Sequence, residues 1–407
     1  VILDVYPNNY FFDVGSVNND MLNIKGREKE GKWFSTPKNR FKFLEPSERG
    51  NWLNYVQVCL KISRAVRRLH AAGLAHSDLS YKNILIDPKN GEACIIDIDG
   101  LVVPGKYPPD VVGTPDFIAP EVLSTTHLDK NDDNRYLPSI YTDRHALAVL
   151  IYQYLFLRHP LRGDKIHSDD PVKDESMLMG EKALFVEHPY DVSNAIKPSN
   201  LANIDKFWKD TSMLPFAASG PYLSDLFSRA FIDGLHVPKK RPTAAEWENA
   251  LIKTIDLLQP CQNKGCEQAW YVFDNTLKPK CPFCNTNYKG QLPVLNLYFT
   301  HNGVDYRPEN HRLMVYKDQS LFKWHINRSI SPNERLKASD ASRIGYFTEH
   351  NGSWYLVNEH MLEMYVHEGA NKVRIEKGKH AKLSSGTKIS FGQSKDLRMF
   401  VVQMVEN

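Results

Sequence analysis

The stretch His76–Asp87, HSDLSYKNILID, joins a polar loop to a short apolar segment. Asp78 and Asn83 stand five residues apart in that loop, and both side chains end in oxygen acceptors. Such a pair can hold a hydroxyl group and a metal ion at one site. Asp and Asn are also common in solvated turns, so this stretch alone leaves both interpretations open.

The segments around this loop predict how it is placed. Apolar residues recur at helical spacing from Asn51 until Gly73, which predicts a helix before the loop. The segments NILID and ACIIDIDG predict two strands joined by a turn. A hairpin of these strands brings Asp97 to the same end as Asp78 and Asn83. Asn83 and Asp97 could then bind Mg2+ through oxygen, while Asp78 accepts the proton of an attacking hydroxyl.

Composition is that of a globular protein. The 407 residues are 42% hydrophobic and 24% charged, enough for roughly two to four domains. A net charge of +3 gives no argument for nucleic acid or a membrane as a partner. No apolar run is long enough to span a bilayer, and the first residues lack the pattern of a signal peptide. We therefore expect a cytoplasmic protein.

Five motifs occur in the order found in protein kinases, and together they resemble the C-terminal lobe of that family over residues 51–258. The motifs are HSDLSYKN (76–83), DIDG (97–100), GTPDFIAPE (113–121), YTDRHALAVLIYQYLFLRHPLRG (141–163) and RPTAAEW (241–247). The resemblance implies a protein kinase that transfers the γ-phosphate of ATP to a protein hydroxyl with Mg2+. GTPDF favours serine and threonine as acceptors.

The resemblance also implies residue roles. Asp78 is the expected base, Asn83 and Asp97 are the expected metal ligands, and Lys82 is the expected phosphate contact. Five further residues are expected to have structural roles: His76, Thr114, Glu121, Asp143 and Arg241. Arg241 is expected to pair with Glu121, and Asp143 to accept backbone N–H groups of the catalytic loop.

Two departures from the kinase pattern matter. Ser77 stands where an Arg normally meets an activation-loop phosphate, so phosphorylation of Tyr107 or Thr114 is not expected to be a switch. No Gly-rich loop or ATP-binding Lys is found before residue 51. Residues 1–50 are therefore expected to be a partial N-lobe or hinge remnant and linker, with the N-lobe preceding Val1. A half-kinase, or a pseudokinase scaffold that recruits partner proteins, is the alternative.

Four cysteines cluster between residues 259 and 290. Their spacing is C-x4-C followed by C-x2-C, in Cys261, Cys266, Cys281 and Cys284. Four thiolates so spaced predict a structural zinc ribbon, and free thiols in a linker are the alternative. The arms carry only Lys264, Lys278 and Lys280, which argues against nucleic-acid binding by the ribbon.

Residues 291–407 alternate in polarity and contain the turn Asn351-Gly352, which predicts an all-β sandwich. SDASRIGYF and AKLSSGTKISFG resemble segments of forkhead-associated domains, a family that binds phosphothreonine. Ser342 and Arg343 match its phosphate-reading loop. Leu362 and Glu363 stand where that family has Asn-Gly, so weak or absent phosphothreonine binding is expected. A sandwich used for other protein contacts is the alternative.

The predicted fold class is an α+β multidomain protein: a mainly helical kinase C-lobe, a zinc ribbon and a C-terminal β-sandwich. This organisation resembles bacterial kinases encoded near tellurite-resistance and stress genes. That resemblance implies a protein substrate and, as partners, a von Willebrand A protein and a metal-dependent phosphatase.

Overall fold

The chain forms two compact units, Val1–Leu251 and Ile252–Asn407. The computed structural model describes residues 7–13, 23–104, 113–129, 131–197, 214–273, 278–302, 305–369, 371–392 and 394–405. Within these residues, no helix combines the length and the apolar character that crossing a bilayer needs. The predicted boundaries at residues 50, 258 and 290 stay predictions within this division.

The first unit is mainly helical. Its α-helices, together with the last helix that continues into the second unit, are α1 (Pro37–Phe43), α2 (Pro46–Arg49), α3 (Trp52–Ala71), α4 (Pro120–Ser124), α5 (Ile140–Phe156), α6 (Pro171–Met179), α7 (Gly220–Ser228) and α8 (Ala244–Asp256). A π-helical turn, Arg229–Asp233, follows α7 directly.

Helix α3 confirms the helix predicted before the loop that begins at His76. Asn51 and Asn54 cap its start reciprocally, each side chain accepting from the other's backbone N–H. Gly73 follows its end with φ +76°, a conformation that costs glycine little. The apolar stripe of α3 is buried, including Val56 and Cys59. The loop that begins at His76 therefore leaves from a firmly packed helix.

The two strands after the loop also agree with the prediction. Strand β1 (Ile84–Asp87) pairs antiparallel with β2 (Glu92–Ile95), and Ile84 lies opposite Ile95. All four residues of β1 are buried. This register sets the beginning of β1 beside the end of β2, so the chain on either side of the hairpin meets at one place.

The segment DRHALAVLIYQYLF (143–156) is apolar nearly all round, which predicts a helix buried on most faces, and α5 is buried on nearly all sides. Tyr152 and Phe156 from α5 pack with Phe227 and Phe231, and Phe227 packs on Trp247 of α8. This aromatic core fixes α5 in the middle of the first unit.

Two local predictions for the first unit were wrong. The prolines and the lack of helical periodicity in residues 101–125 predict a loop, but a 3-10 turn (Pro115–Phe117) and helix α4 form there, each with proline in its first turn. The segment RPTAAEW predicts a last helix with Pro242 in its first turn, whereas α8 begins at Ala244. Thr243 and Glu246 hydrogen bond reciprocally at that start, which explains the later beginning.

The described residues of the second unit form two larger antiparallel sheets and one small one. The strands are β3 (Leu258–Pro260), β4 (Trp270–Val272), β5 (Leu292–Thr300), β6 (Tyr306–Met314), β7 (Ser320–Phe322), β8 (Arg343–His350), β9 (Ser353–Asn358), β10 (Tyr365–Glu368), β11 (Asn371–Arg374), β12 (His380–Leu383), β13 (Lys388–Ser390) and β14 (Met399–Val405), with short helices α9 (Lys323–Ile326) and α10 (Ala338–Ala341). The strand orders are β11-β10-β13-β14-β5-β6 and β12-β9-β8-β7, with β3-β4 separate.

The two larger sheets share one hydrophobic core. Leu295 and Phe400 come from the six-stranded sheet, and Phe347 and Leu356 from the four-stranded sheet. Asn351 and Gly352 both have positive φ in the turn between β8 and β9, which confirms the predicted hairpin. The expectation of a sheet-rich C-terminal region is confirmed.

Candidate active site

The Asp78 carboxylate is held in one orientation by three donors. Thr114 donates twice to Oδ1, from its backbone N at 2.6 Å and from Oγ1 at 2.8 Å. Asn83 Nδ2 donates to Oδ2 at 3.0 Å. Oδ2 therefore keeps lone-pair capacity for one more donor, such as a substrate hydroxyl.

Asn83 and Asp97 come together through the hairpin. Ile96 N donates to the backbone oxygen of Asn83 at 2.9 Å, which places the residue before Asp97 against the catalytic loop. The Asn83 amide nitrogen is used by Asp78, so its side-chain oxygen is the atom that remains for a cation. Asp97 is exposed and has left-handed backbone geometry, with φ +57°. An amide oxygen and a carboxylate, each at the same end of the hairpin, are ligand types that suit a hard cation such as Mg2+.

The Asp143 carboxylate accepts a backbone N–H group at the start of the loop that contains Asp78, as the kinase resemblance implied. This buried carboxylate accepts from His76 N at 2.8 Å and from His70 Nε2 at 3.0 Å. His76 Nε2 in turn donates to Ile96 O at 3.3 Å. Helix α5 thus fixes the start of the loop, and the loop fixes the strand end that precedes Asp97.

Ser77, which stands where kinases normally have an Arg, contacts the backbone of the DIDG segment. Its backbone is left-handed, with φ +56°, and its Oγ donates to Gly100 O at 2.7 Å. Gly113 has φ +110°, and a Cβ there would lie 3.2 Å from Ser77 O. A glycine is therefore required where the chain returns to bring Thr114 onto Asp78.

Arg241 and Glu121 form the predicted bidentate ion pair. Arg241 Nη1 and Nη2 each lie 2.7 Å from a Glu121 carboxylate oxygen. The Arg241 side chain is fully buried, while Glu121 keeps 13% of its side-chain exposure. The pair ties α4 to the turn before α8, which confirms the contact expected between residues 120 positions apart.

Comparison with known proteins agrees with this geometry. The family model of the protein kinase domain matches residues 39–249. The chain belongs to the protein kinase family. The kinase domain implies use of ATP with Mg2+.

Three curated relatives illustrate the similarity. A dual serine/threonine and tyrosine protein kinase of Apis mellifera is 36% identical over 137 residues, which cover 32% of this chain and 13% of the relative. The serine/threonine-protein kinase PknD of Chlamydia felis is 30% identical over 135 residues, which cover 27% of this chain and 13% of the relative. The cAMP-dependent protein kinase type 3 of Saccharomyces cerevisiae is 39% identical over 103 residues, which cover 24% of this chain and 21% of the relative. The matched part therefore spans about a fifth of these relatives or less.

Two residues named in the kinase prediction, Lys82 and Tyr107, are not among the contacts described around Asp78. Lys82 is exposed, and its ammonium makes no ion pair with the part of the chain that the structure describes. Tyr107 lies outside the described residues. Ser80, which replaces a Lys of the kinase pattern, is buried with its Oγ 3.2 Å from Thr114 Oγ1.

Sequence reasoning missed the residues that hold the kinase activation segment at Asp116. Arg162 reaches Asp116 Oδ1 at 2.6 Å and Glu175 Oε2 at 2.7 Å. His159 Nε2 donates to the backbone oxygen of Asp116 at 2.9 Å, and burial lowers the pKa of His159 to about 4. The signal available was HPLRG directly after the buried helix α5.

The four clustered cysteines of the second unit come together. Their Sγ atoms all lie within 4.8 Å of one another. Cys261 and Cys284 are 3.5 Å apart, and Cys266 and Cys281 are 3.9 Å apart. Four sulfurs around a tetrahedral zinc stand about 3.8 Å apart when each Zn–S bond is about 2.3 Å. The donor set and its spacing fit that ion.

Arg343 already has an anionic partner. Its guanidinium pairs with Glu359 through Nε at 2.7 Å and Nη2 at 2.6 Å. Ser342 is exposed, and its hydroxyl donates to Ser339 O at 3.2 Å. The predicted phosphate-reading residues are therefore neighbours at the surface, but the guanidinium is occupied.

Proposed function

We propose that the protein is a serine/threonine kinase in which Asp78 is the general base. The observation that carries this proposal is the Asp78 carboxylate, aimed by Thr114 and Asn83 with Oδ2 left to receive a proton. The substrate hydroxyl would pass its proton to Asp78 as its oxygen attacks the γ-phosphorus, and the bond to ADP would break.

Asn83 and Asp97 would hold Mg2+, which supplies charge neutralisation on the phosphates when it is bound. Lys82 would contact the transferring phosphate from the exposed side of the loop. Asp143 and His76 are positioning residues, because they act through the backbone of the loop. A serine or threonine acceptor is supported by the GTPDF motif and by the printed names of the relatives.

The test is phosphate transfer by the full-length protein from ATP with Mg2+, comparing Asp78→Asn with Asp133→Asn. Asp133 is an exposed carboxylate in the loop before α5, so its substitution is a matched control. We expect Asp78→Asn to lower kcat by about 100-fold or more, the scale of general base catalysis. Equal activity of the two variants would remove Asp78 from the mechanism.

A pseudokinase scaffold is the second candidate. Ser77 and the Asp-Ile-Asp sequence at residues 97–99 depart from the kinase pattern, and the second unit offers surfaces for partners. Binding of Mg·ATP separates the two candidates, because a scaffold without transfer activity does not depend on it. Failure of the full-length protein both to bind Mg·ATP and to transfer phosphate would favour the scaffold.

For the second unit we propose a structural zinc ribbon and a forkhead-associated-like sandwich. The sulfur spacing supports zinc bound by Cys261, Cys266, Cys281 and Cys284. The pairing of Arg343 with Glu359 supports weak or absent phosphothreonine binding.

The proposed setting is bacterial stress signalling in the cytoplasm, in tellurite-resistance-type operons. A von Willebrand A protein and a metal-dependent phosphatase would be its partners. The support is the arrangement of kinase motifs before the cysteine cluster and the sheet-rich region, together with similarity to bacterial kinases. Mixing the full-length protein with each purified candidate partner and looking for a complex by size-exclusion chromatography tests this setting. Absence of any complex would contradict it.

A further inference from the structure

A trough of about 620 Å³ crosses the outer face of the six-stranded sheet, and residues from all six strands line it. One end is basic. Lys372 on β11 lies directly opposite His367 on β10. The pairing of Val366 with Ile389 places His367 opposite Lys388 of β13. Three basic side chains thus stand in a row on neighbouring strands.

The other end of the trough is apolar and aromatic. Met399 and Val401 of β14 form the middle. Tyr298 of β5 lies opposite Met399, and Tyr306 of β6 completes the lining. These four residues carry no charge, so the trough is polarised along its length.

The basic end lacks an anion. Cross-strand neighbours stand about 5 Å apart, and like charges so placed destabilise a sheet. Lys372 and Lys388 are exposed and make no ion pair with any described residue, and none of the lining residues is acidic. Burial and the two lysines together lower the pKa of His367. An anionic ligand would relieve this repulsion.

The dimensions fit an extended chain. Six strands at a spacing of about 4.8 Å give a trough about 24 Å long, which accommodates about seven extended residues. Single-stranded nucleic acid carries a phosphate at every nucleotide and needs cations along its whole path. Here the cations occupy one half only. We propose that the trough binds an extended segment of a partner protein that is acidic at one end and apolar at the other.

The test uses the full chain on an array of heptapeptides in which each position is fixed in turn as Glu, Lys, Leu or Gly. We expect selection of Glu at neighbouring positions of one end and of Leu at the other end. No positional preference for Glu, or preference for Lys, would overturn the proposal.

Variants then locate the binding surface by fluorescence anisotropy of the selected peptide. Lys372→Glu combined with Lys388→Glu should weaken binding by about tenfold or more, since both charges of the proposed contact are reversed. Lys377→Glu combined with Lys382→Glu makes the same charge change at exposed positions outside the trough and should have little effect. Tyr298→Ala should weaken binding of the peptide that carries Leu, but should not weaken binding of a peptide made only of Glu and Gly.

An oligo-dT of 15 nucleotides is the competing probe. If it binds more tightly than any peptide and loses binding in the Lys372→Glu/Lys388→Glu protein, the trough is a nucleic-acid site and the proposal is wrong. Equal peptide binding by this variant and by the Lys377→Glu/Lys382→Glu control would also refute it.

Discussion

Replacing Arg241 by alanine should destabilise the first unit far more than replacing an ordinary surface arginine. Besides the two contacts with Glu121, the guanidinium donates to Gly234 O at 2.8 Å, Leu235 O at 2.9 Å and Tyr141 O at 3.1 Å. Arg241→Ala removes all five hydrogen bonds at once and leaves the Glu121 carboxylate without its partner.

The magnitude follows from burial. Breaking a buried ion pair by removing one member costs about 3–5 kcal/mol, because a charge is left uncompensated. Glu121 keeps 13% of its side-chain exposure, so water can reach the abandoned carboxylate. We therefore expect a loss of about 3 kcal/mol, at the lower end of that range.

Arg229→Ala is the matched control. Arg229 pairs with Glu246 at 2.7 Å, but these side chains are 35% and 41% exposed. Such a pair contributes about 0.2–1 kcal/mol. In addition, Glu121→Ala combined with Arg241→Ala should cost less than the sum of the single substitutions, because neither charge is then left alone.

The assay must report on the first unit alone, because the chain has two compact units and a whole-molecule melt mixes their transitions. Hydrogen exchange of the α3 amides in increasing urea, followed by mass spectrometry, gives the free energy of opening of that unit. If Arg241→Ala lowers this free energy no more than Arg229→Ala does, the argument from burial is refuted.

Three further predictions concern the site, the acid stability of the first unit and the second unit. Thr114→Val should lower kcat about tenfold with little change in KM, because one of the three donors that orient the Asp78 carboxylate is lost. Thr114→Ser keeps a hydroxyl and should restore phosphate transfer. Equal rates for the two variants would contradict the role of the Thr114 hydroxyl in orienting Asp78. Burial lowers the pKa of His159 to about 4, so the unfolded chain takes up a proton first as pH falls below about 6.5. Stability of the first unit on the order of 3 kcal/mol should therefore be lost between about pH 6.5 and 4. Hydrogen exchange of the α3 amides in urea over this range should show a shallower loss for His159→Gln, and an unchanged slope would exclude this histidine. Removal of zinc by a chelator should increase hydrogen exchange around the four cysteines, and elemental analysis showing well under one zinc per purified chain would contradict a zinc site.

Much of the candidate site could be predicted because it depends on short-range order. Asp78 and Asn83 share one loop, and Asp97 follows a strand that the hairpin must return to that loop. The pairing of Glu121 with Arg241 spans 120 positions and came from the kinase resemblance, since no local pattern specifies it.

The contacts that the sequence did not predict depend on packing between distant elements. His70 reaches Asp143 because α3 and α5 lie side by side, and Arg162 joins Asp116 to Glu175 across a polar segment without periodicity. Arg343 matched a phosphate-reading motif, but the pairing of β8 with β9 supplies Glu359 as its partner. A motif identifies the guanidinium, whereas the fold decides what occupies it.

The choice between enzyme and scaffold can be argued from local strain. Ser77 and Asp97 have φ of +56° and +57°, and for residues other than glycine this left-handed geometry costs about 1–2 kcal/mol each. These residues flank the loop that carries Asp78, and Thr114 and Asn83 supply three donors to its carboxylate. A surface that only recruits partners gains nothing from a strained loop around one aimed carboxylate. A general base that accepts a proton from a substrate hydroxyl next to a bound metal ion needs its carboxylate held in one orientation, because catalysis by positioning depends on a fixed geometry. The cost in strain therefore favours the enzyme. Replacing Ser77 by glycine removes the strain there but also the hydrogen bond to Gly100 O, so it should change the stability of the first unit little and should not raise its rate of phosphate transfer.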